Sequence, residues 1–185
     1  MVAVWQRQRS EKVFECRVFA LHVNHSRSAE GERANDFCVL ESRDWCNIIP
    51  ITSDDRVVLI RQFRHGIEGV TLEIPGGIVD PTDDSPLEAA RREMLEETGY
   101  DSREILPLGV VHPNPAILNN RCHSFVARNA WAAGEPRPEG DEETEVLLVP
   151  LAEIPGRVQN GEISHALVIV AFHWLGFLRP KSLNP

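Results

Sequence analysis

The chain has 185 residues, with 19 Lys and Arg against 28 Asp and Glu, a formal charge of −9. That balance argues against nucleic acid as a partner, since polynucleotide binding calls for a basic footprint. A hydrophobic content of 42% fits an ordinary globular domain, and no apolar run approaches the ~18 residues of a membrane span, the longest being Ala166–Phe172. In chain order, the start Met1-Val2-Ala3-Val4-Trp5-Gln6-Arg7 lacks the charged-then-apolar order of a signal peptide. Residues 12–23 alternate Val, Phe and Cys with polar residues and predict a strand. Residues 34–52 predict a further strand or hairpin arm ending at Pro50. After the Asp54-Asp55 turn, Arg56 to Phe63 reads as a buried strand. Val70 to Ile74 is a short strand stopped by Pro75-Gly76-Gly77.

The clearest helix follows. Ser85 is the N-cap, Pro86 the first helical residue, Glu88 the capping-box acid and Gly99 the left-handed terminator. Its buried stripe is expected at Leu87, Ala90, Met94 and Thr98. Strands are expected near 105–112, 121–128 and 145–149, a loop over 133–144, a short helix over 155–160 and an apolar helix over 164–178. Mixed strands with two or three helices predict an α+β fold in three layers, an α/β/α sandwich. The four cysteines (Cys16, Cys38, Cys46, Cys122) lack metal-ligand spacing and read as reduced residues of a cytoplasmic protein.

Glu93, Glu96 and Glu97 share one helical turn, and Glu93 and Glu97, four apart, project from one face. Like charges so placed cost a helix about 0.2–0.5 kcal/mol per pair, which a divalent cation between them would offset. Hard oxygen ligands suit Mg²⁺. Otherwise the three form a solvated acidic face beside Arg91 and Arg92.

Gly76-Gly77, Asp84 and Arg92-Glu93-Met94-Leu95-Glu96-Glu97-Thr98-Gly99-Tyr100 together resemble the Nudix box, G-x5-E-x7-R-E-U-x-E-E-x-G-U, where U is bulky. The second half matches position by position. The first half is one residue longer, an insertion placed near Thr82-Asp83, with Asp84 standing for the first Glu. The resemblance implies the Nudix fold, a mixed β-sheet between helices. It implies Mg²⁺ (with Mn²⁺ as a substitute), two or three ions per site, held by Glu93, Glu97, Glu96 and the Gly76 carbonyl. Arg92 would keep the helix carboxylates in register, and small residues at the turn would let the backbone approach the metal.

Val57 to Arg64, Leu72-Glu73-Ile74-Pro75-Gly76-Gly77, Pro115 (sixteen residues after Gly99) and Gly161 to Ala166 resemble the ADP-ribose pyrophosphatase and nucleoside-diphosphate-sugar hydrolase branch. That branch implies an N-terminal antiparallel β lobe over 1–50 suited to homodimerisation, a Nudix hydrolase domain over 51–185, and cleavage of a nucleoside diphosphate sugar, ADP-ribose first, into a nucleoside monophosphate and a sugar phosphate. Arg61 and Arg64, expected on one strand face, are candidates for a diphosphate contact or a surface ion pair. Glu73 and Pro115 are candidate substrate contacts. Trp45, Phe37 and Phe14 are candidates for base stacking or for packing. The loop base is Glu142 or Glu143, with Glu142 favoured. The histidines His112, His123, His165 and His173 are expected to be packing or surface residues, with His112 and His123, flanking the Pro115 loop, as the exceptions. The rival functions are hydrolysis of nucleoside triphosphates or capped RNA ends, and a non-catalytic nucleotide sensor. Retention of all three box glutamates argues against the sensor.

Overall fold

The computed structural model describes residues 2–137 and 143–178. The chain divides into two compact units, Met1–Arg43 with His112–Arg121, and Asp44–Val111 with Cys122–Pro185. The first is an antiparallel meander of β1 (Trp5–Glu15), β2 (Ala20–Ser28) and β3 (Ala34–Glu41). The predicted strand 12–23 contains the first turn, where the Cys16 amide donates to the Phe19 carbonyl at 3.0 Å. The stretch is therefore the end of β1, a turn over residues 16–19 and the start of β2, and not one strand. Trp5 packs edge-on to Phe37 at 5.2 Å, and Phe14 lies against Phe19. Residues 112–121 join this unit through the Leu40 amide, which donates to the Ile117 carbonyl at 2.7 Å.

The predicted stretch 34–52 likewise holds two strands, β3 in the first unit and β4 (Trp45–Thr52) in the second. The division thus falls at residues 43–44 and not after residue 50, because β4 is the central strand of the second sheet. That sheet runs β11 (Thr144–Pro150), β5 (Arg56–Arg64), β4, β10 (Cys122–Ala132), β8 (Tyr100–Asp101). β6 (Gly69–Glu73) pairs with β5, β7 (Gly76–Ile78) with β4, and β9 (Glu104–Val111) with β10. β4 and β10 are parallel and the other pairs antiparallel, so the sheet is mixed.

Strand alternation decides which helix covers which face. Cys46 and Ile48 of β4, with Phe125 and Ala127 of β10, pack with Ala89, Ala90 and Met94 of α1 (Pro86–Thr98). Ile49 and Val126, one residue out of step, join Val57, Leu59, Ile163, Val168, Ala171 and Leu175 on the other face, which α2 (Ile154–Gln159) and α3 (Ala166–Leu178) cover. A sheet buried on both sides by helices is the three-layer arrangement expected from the sequence. α3 lies so close to β9 that a Cβ on Gly109 would stand 2.8 Å from the Trp174 ring. Among the described residues, no helix is long and apolar enough to cross a membrane.

Candidate active site

α1 begins and ends as its capping residues dictate. The Ser85 hydroxyl accepts the Glu88 amide at 3.2 Å, Pro86 opens the first turn, and Gly99 (φ 70°) donates its amide to the Leu95 carbonyl. The buried stripe is Ala89, Ala90, Met94, Glu97 and Thr98, with Leu87 partly buried against the same cluster. Glu97 is therefore an ionisable residue inside an apolar stripe, 3% exposed. Its carboxylate accepts the Gly76 amide at 2.9 Å, tying the end of α1 to β7.

The glycine pair does not turn the chain away as expected. Gly76 to Ile78 form β7, with Asn47 opposite Gly76 and Cys46 opposite Gly77 on β4. Gly76 lacks a side chain because β4 is there: a Cβ would lie 2.4 Å from the Cys46 carbonyl oxygen and 2.8 Å from the Asn47 Cα. Gly77 faces the acidic helix instead, and a Cβ there would stand 2.5 Å from the Glu93 carboxylate. So the first glycine serves strand pairing, and the second opens the floor beneath Glu93.

Arg92 organises the remaining acids. Its Nη1 lies 2.9 Å from both Glu93 Oε1 and Glu96 Oε2, and its Nη2 donates to the Ile78 carbonyl at 3.2 Å. The partner that fixes it is Asp83, bidentate at 3.1 and 3.2 Å, and not Asp84, which is exposed. This corrects the assignment of the first box acid. Asp83 closes a turn with Asp80, accepting the Asp80 amide at 2.8 Å, and so faces the guanidinium. The Asp83 hydrogen bond pushes the Arg92 pKa further up, and the arginine in turn lowers that of Asp83. The glutamate repulsion noted in the sequence is thus offset within the chain, by Arg92 and by the Gly76 amide. Among the described residues no three His, Cys, Asp or Glu side chains converge on one point. The donor set of Glu93, Glu97, Glu96 and the Gly76 carbonyl is nonetheless all oxygen. With the glycine-lined space at Glu93, it fits a hard divalent cation better than a soft one.

Beside the glycines opens a cleft of about 340 Å³, lined by Trp45, Cys46, Asn47, Arg64, Glu73, Ile74, Gly76, Gly77, Ile78, Cys122, His165, Leu167 and Val168. Burial pushes the Cys46 and Cys122 thiols up to about 12, so both are inert thiols in the wall. Glu73, 2% exposed, sits under the cleft in a bidentate pair with Arg64, both contacts 2.8 Å. Burial opposes its charge, but Arg64, His165 and Thr71 together outweigh burial and hold the carboxyl far below its ordinary 4.5. A carboxyl depressed on folding stabilises the fold above its unfolded value. That stabilisation is lost as pH falls below 4.5 toward the folded value. Glu73→Gln is therefore expected to destabilise most near neutrality, with its deficit against the wild type in urea unfolding shrinking between about pH 5 and pH 2. A deficit independent of pH refutes the ionised pair.

Arg61 and Arg64, three residues apart, take opposite faces of β5, because strand side chains repeat every two residues. Arg64 meets Glu73, whereas Arg61 forms an exposed ion pair with Glu145 of β11 at 3.2 Å. This corrects their expected common face and leaves Arg61 away from the cleft lining. Pro115 is exposed in a turn of the other unit, where the Asn114 carbonyl accepts the Leu118 amide at 2.8 Å. Of the loop acids, Glu142 lies outside the described residues. Glu143 is exposed and precedes Thr144, whose hydroxyl donates to the Glu97 carbonyl at 3.1 Å. Trp45 lines the cleft, while Phe37 and Phe14 belong to the three-stranded sheet. The sequence reading missed Asp83, Asn47 and His165. Only the position of His165, just before an apolar helix, could have marked it. Its carbonyl accepts the Val168 and Ile169 amides, both at 3.1 Å.

The NUDIX domain family matches residues 43–169. An ADP-ribose pyrophosphatase of Bacillus subtilis is 25% identical over 166 residues, covering 89% of each chain. A GDP-mannose pyrophosphatase of Citrobacter koseri is 32% identical over 127 residues, 64% of this chain and 65% of that one. The crystal structure of an ADP compounds hydrolase superposes with a TM-score of 0.82 at 22% identity, covering 94% of this chain and 92% of the other. At that identity the likeness bears on the fold alone.

Proposed function

The chain belongs to the NUDIX family, and from that premise we propose that it is a Mg²⁺-dependent hydrolase of the pyrophosphate bond in nucleoside diphosphate sugars, with ADP-ribose as first substrate. The observation that carries this reading is the junction of the acidic helix with the cleft. Gly76 and Gly77 touch Glu97 and Glu93 on one side and line the cleft on the other. A diphosphate lying along the glycines would place its ends in two different environments, one of carboxylates and one largely apolar. The relatives named ADP-ribose and GDP-mannose pyrophosphatase support a substrate of this class.

Glu93, Glu97, Glu96 and the Gly76 carbonyl would hold Mg²⁺, which neutralises diphosphate charge and polarises the phosphoryl oxygens. The chain's own residues supply the rest. Asp83 anchors Arg92, and Arg92 sets the spacing of Glu93 and Glu96. Glu142 or Glu143 takes the proton from the attacking water. The water oxygen joins one phosphorus, the bridging oxygen leaves with the other, and a nucleoside monophosphate and a sugar phosphate result. Glu73 neutralises Arg64 within the cleft wall. The three-stranded sheet serves as the homodimer surface in this reading, supported by its exposed Val13, Phe14 and Val18.

The test is product formation with Mg²⁺ across ADP-ribose, ADP-glucose, GDP-mannose, NADH and dGTP. Turnover is expected for the diphosphate sugars and not for dGTP. Turnover of dGTP alone, or binding without turnover, overturns the proposal.

A further inference from the structure

The cleft holds polar atoms that the hydrolytic machinery leaves aside. Asn47, 6% exposed, donates its amide nitrogen to the Leu167 carbonyl at 3.5 Å, while its Oδ1 is buried with no partner among the described residues. His165 Nδ1 is also buried, 2.9 Å from Glu73 Oε2. A bare nitrogen lone pair so close to a carboxylate oxygen would be repelled, so Nδ1 carries a proton, and in the neutral imidazole Nε2 is then the acceptor. The His165 side chain is 39% exposed although Nδ1 is not. The exposed part is therefore the opposite edge of the ring, the one bearing Nε2, and it borders the cleft.

An acceptor at the cleft edge without a donor calls for a ligand that brings one. A phosphate oxygen has none to give, whereas a sugar hydroxyl does. The apolar walls of Trp45, Ile74, Ile78 and Val168 suit the uncharged part of a nucleotide sugar equally well. We propose that His165 is a specificity-determining residue that accepts a hydrogen bond from a ribose hydroxyl of the substrate. Its ring is held by Glu73 and its backbone by the first turn of α3. The inference rests on the proposed function and deepens it, since it names the group of the substrate that this wall of the cleft reads.

Two substitutions separate the ring's two edges. Gln carries a carbonyl oxygen out to the Nε2 position, whereas Asn reaches only the Nδ1 position and keeps the contact with Glu73. With Mg²⁺ and ADP-ribose, His165→Asn is expected to raise KM about tenfold or more with kcat within about threefold, the loss of one substrate hydrogen bond. His165→Gln should stay within about threefold of the wild type in both. The wild type should also discriminate against ADP-ribose lacking one ribose hydroxyl, and H165N should not. Deoxy analogues of the adenosine ribose and of the distal ribose, run separately, identify which sugar is read. An H165N KM within twofold of the wild type, or wild-type indifference to both analogues, overturns the inference while hydrolysis stands. Should the wild type hydrolyse no diphosphate sugar, the functional reading fails. Calorimetric binding of ADP-ribose then decides the inference alone: tighter binding by the wild type than by H165N supports it, and equal or absent binding refutes it.

Discussion

Glu97→Gln is expected to lower turnover of ADP-ribose by about a thousandfold or more while leaving the fold in place. Losing a metal-held charge removes several kcal/mol of transition-state stabilisation, and about 4 kcal/mol is a thousandfold in rate. The fold should survive because glutamine keeps a carbonyl oxygen for the Gly76 amide, which the carboxylate accepts at 2.9 Å. Glu97→Ala should behave differently, since it strands that amide at the start of β7. An unsatisfied buried donor costs about 1–3 kcal/mol, so this variant should lose both stability and activity. Initial rates with saturating Mg²⁺ and urea midpoints make the comparison. E97Q activity within tenfold of the wild type would remove Glu97 from the reaction.

The second large effect separates two adjacent glycines. Gly76→Ala sets a Cβ 2.4 Å from the Cys46 carbonyl and 2.8 Å from the Asn47 Cα, both backbone atoms of the central strand. β7 has to move, and overpacking of this kind costs about 1–3 kcal/mol. Gly77→Ala meets the end of the Glu93 side chain instead, at 2.5 Å. That carboxylate can swing away, so stability should change by less than about 1 kcal/mol while activity falls at least a hundredfold, since a displaced ligand or positioning group costs on that order. Thermal unfolding and turnover measured side by side give the contrast. Equal destabilisation by the two alanines would show that Glu93 cannot yield, and full activity in G77A would show that its position does not matter.

Much of this was legible in the residues themselves. The caps at Ser85 and Gly99, the acids at Glu93, Glu96 and Glu97 and the apolar run into α3 are local signals. Each depends on neighbours within a few positions of the chain, so helix bounds and family could be read directly. The turn inside 12–23 and the break inside 34–52 were not legible, because β-branched and aromatic residues run through both and pairing with distant strands sets where each strand stops. The same limit governs the candidate site. Spacing pointed to Asp84 as the first acid of the box, but the Asp80–Asp83 turn brings Asp83 to Arg92.

The chemistry on offer, a turn of carboxylates behind a glycine pair in an acidic chain, is written in the residues alone. The division of labour between Gly76 and Gly77, and the meeting of Glu73 with His165 across more than ninety residues of chain, depend on how distant segments come together. Contacts of that kind follow from which strand lies beside which. No periodicity within a single segment carries that information.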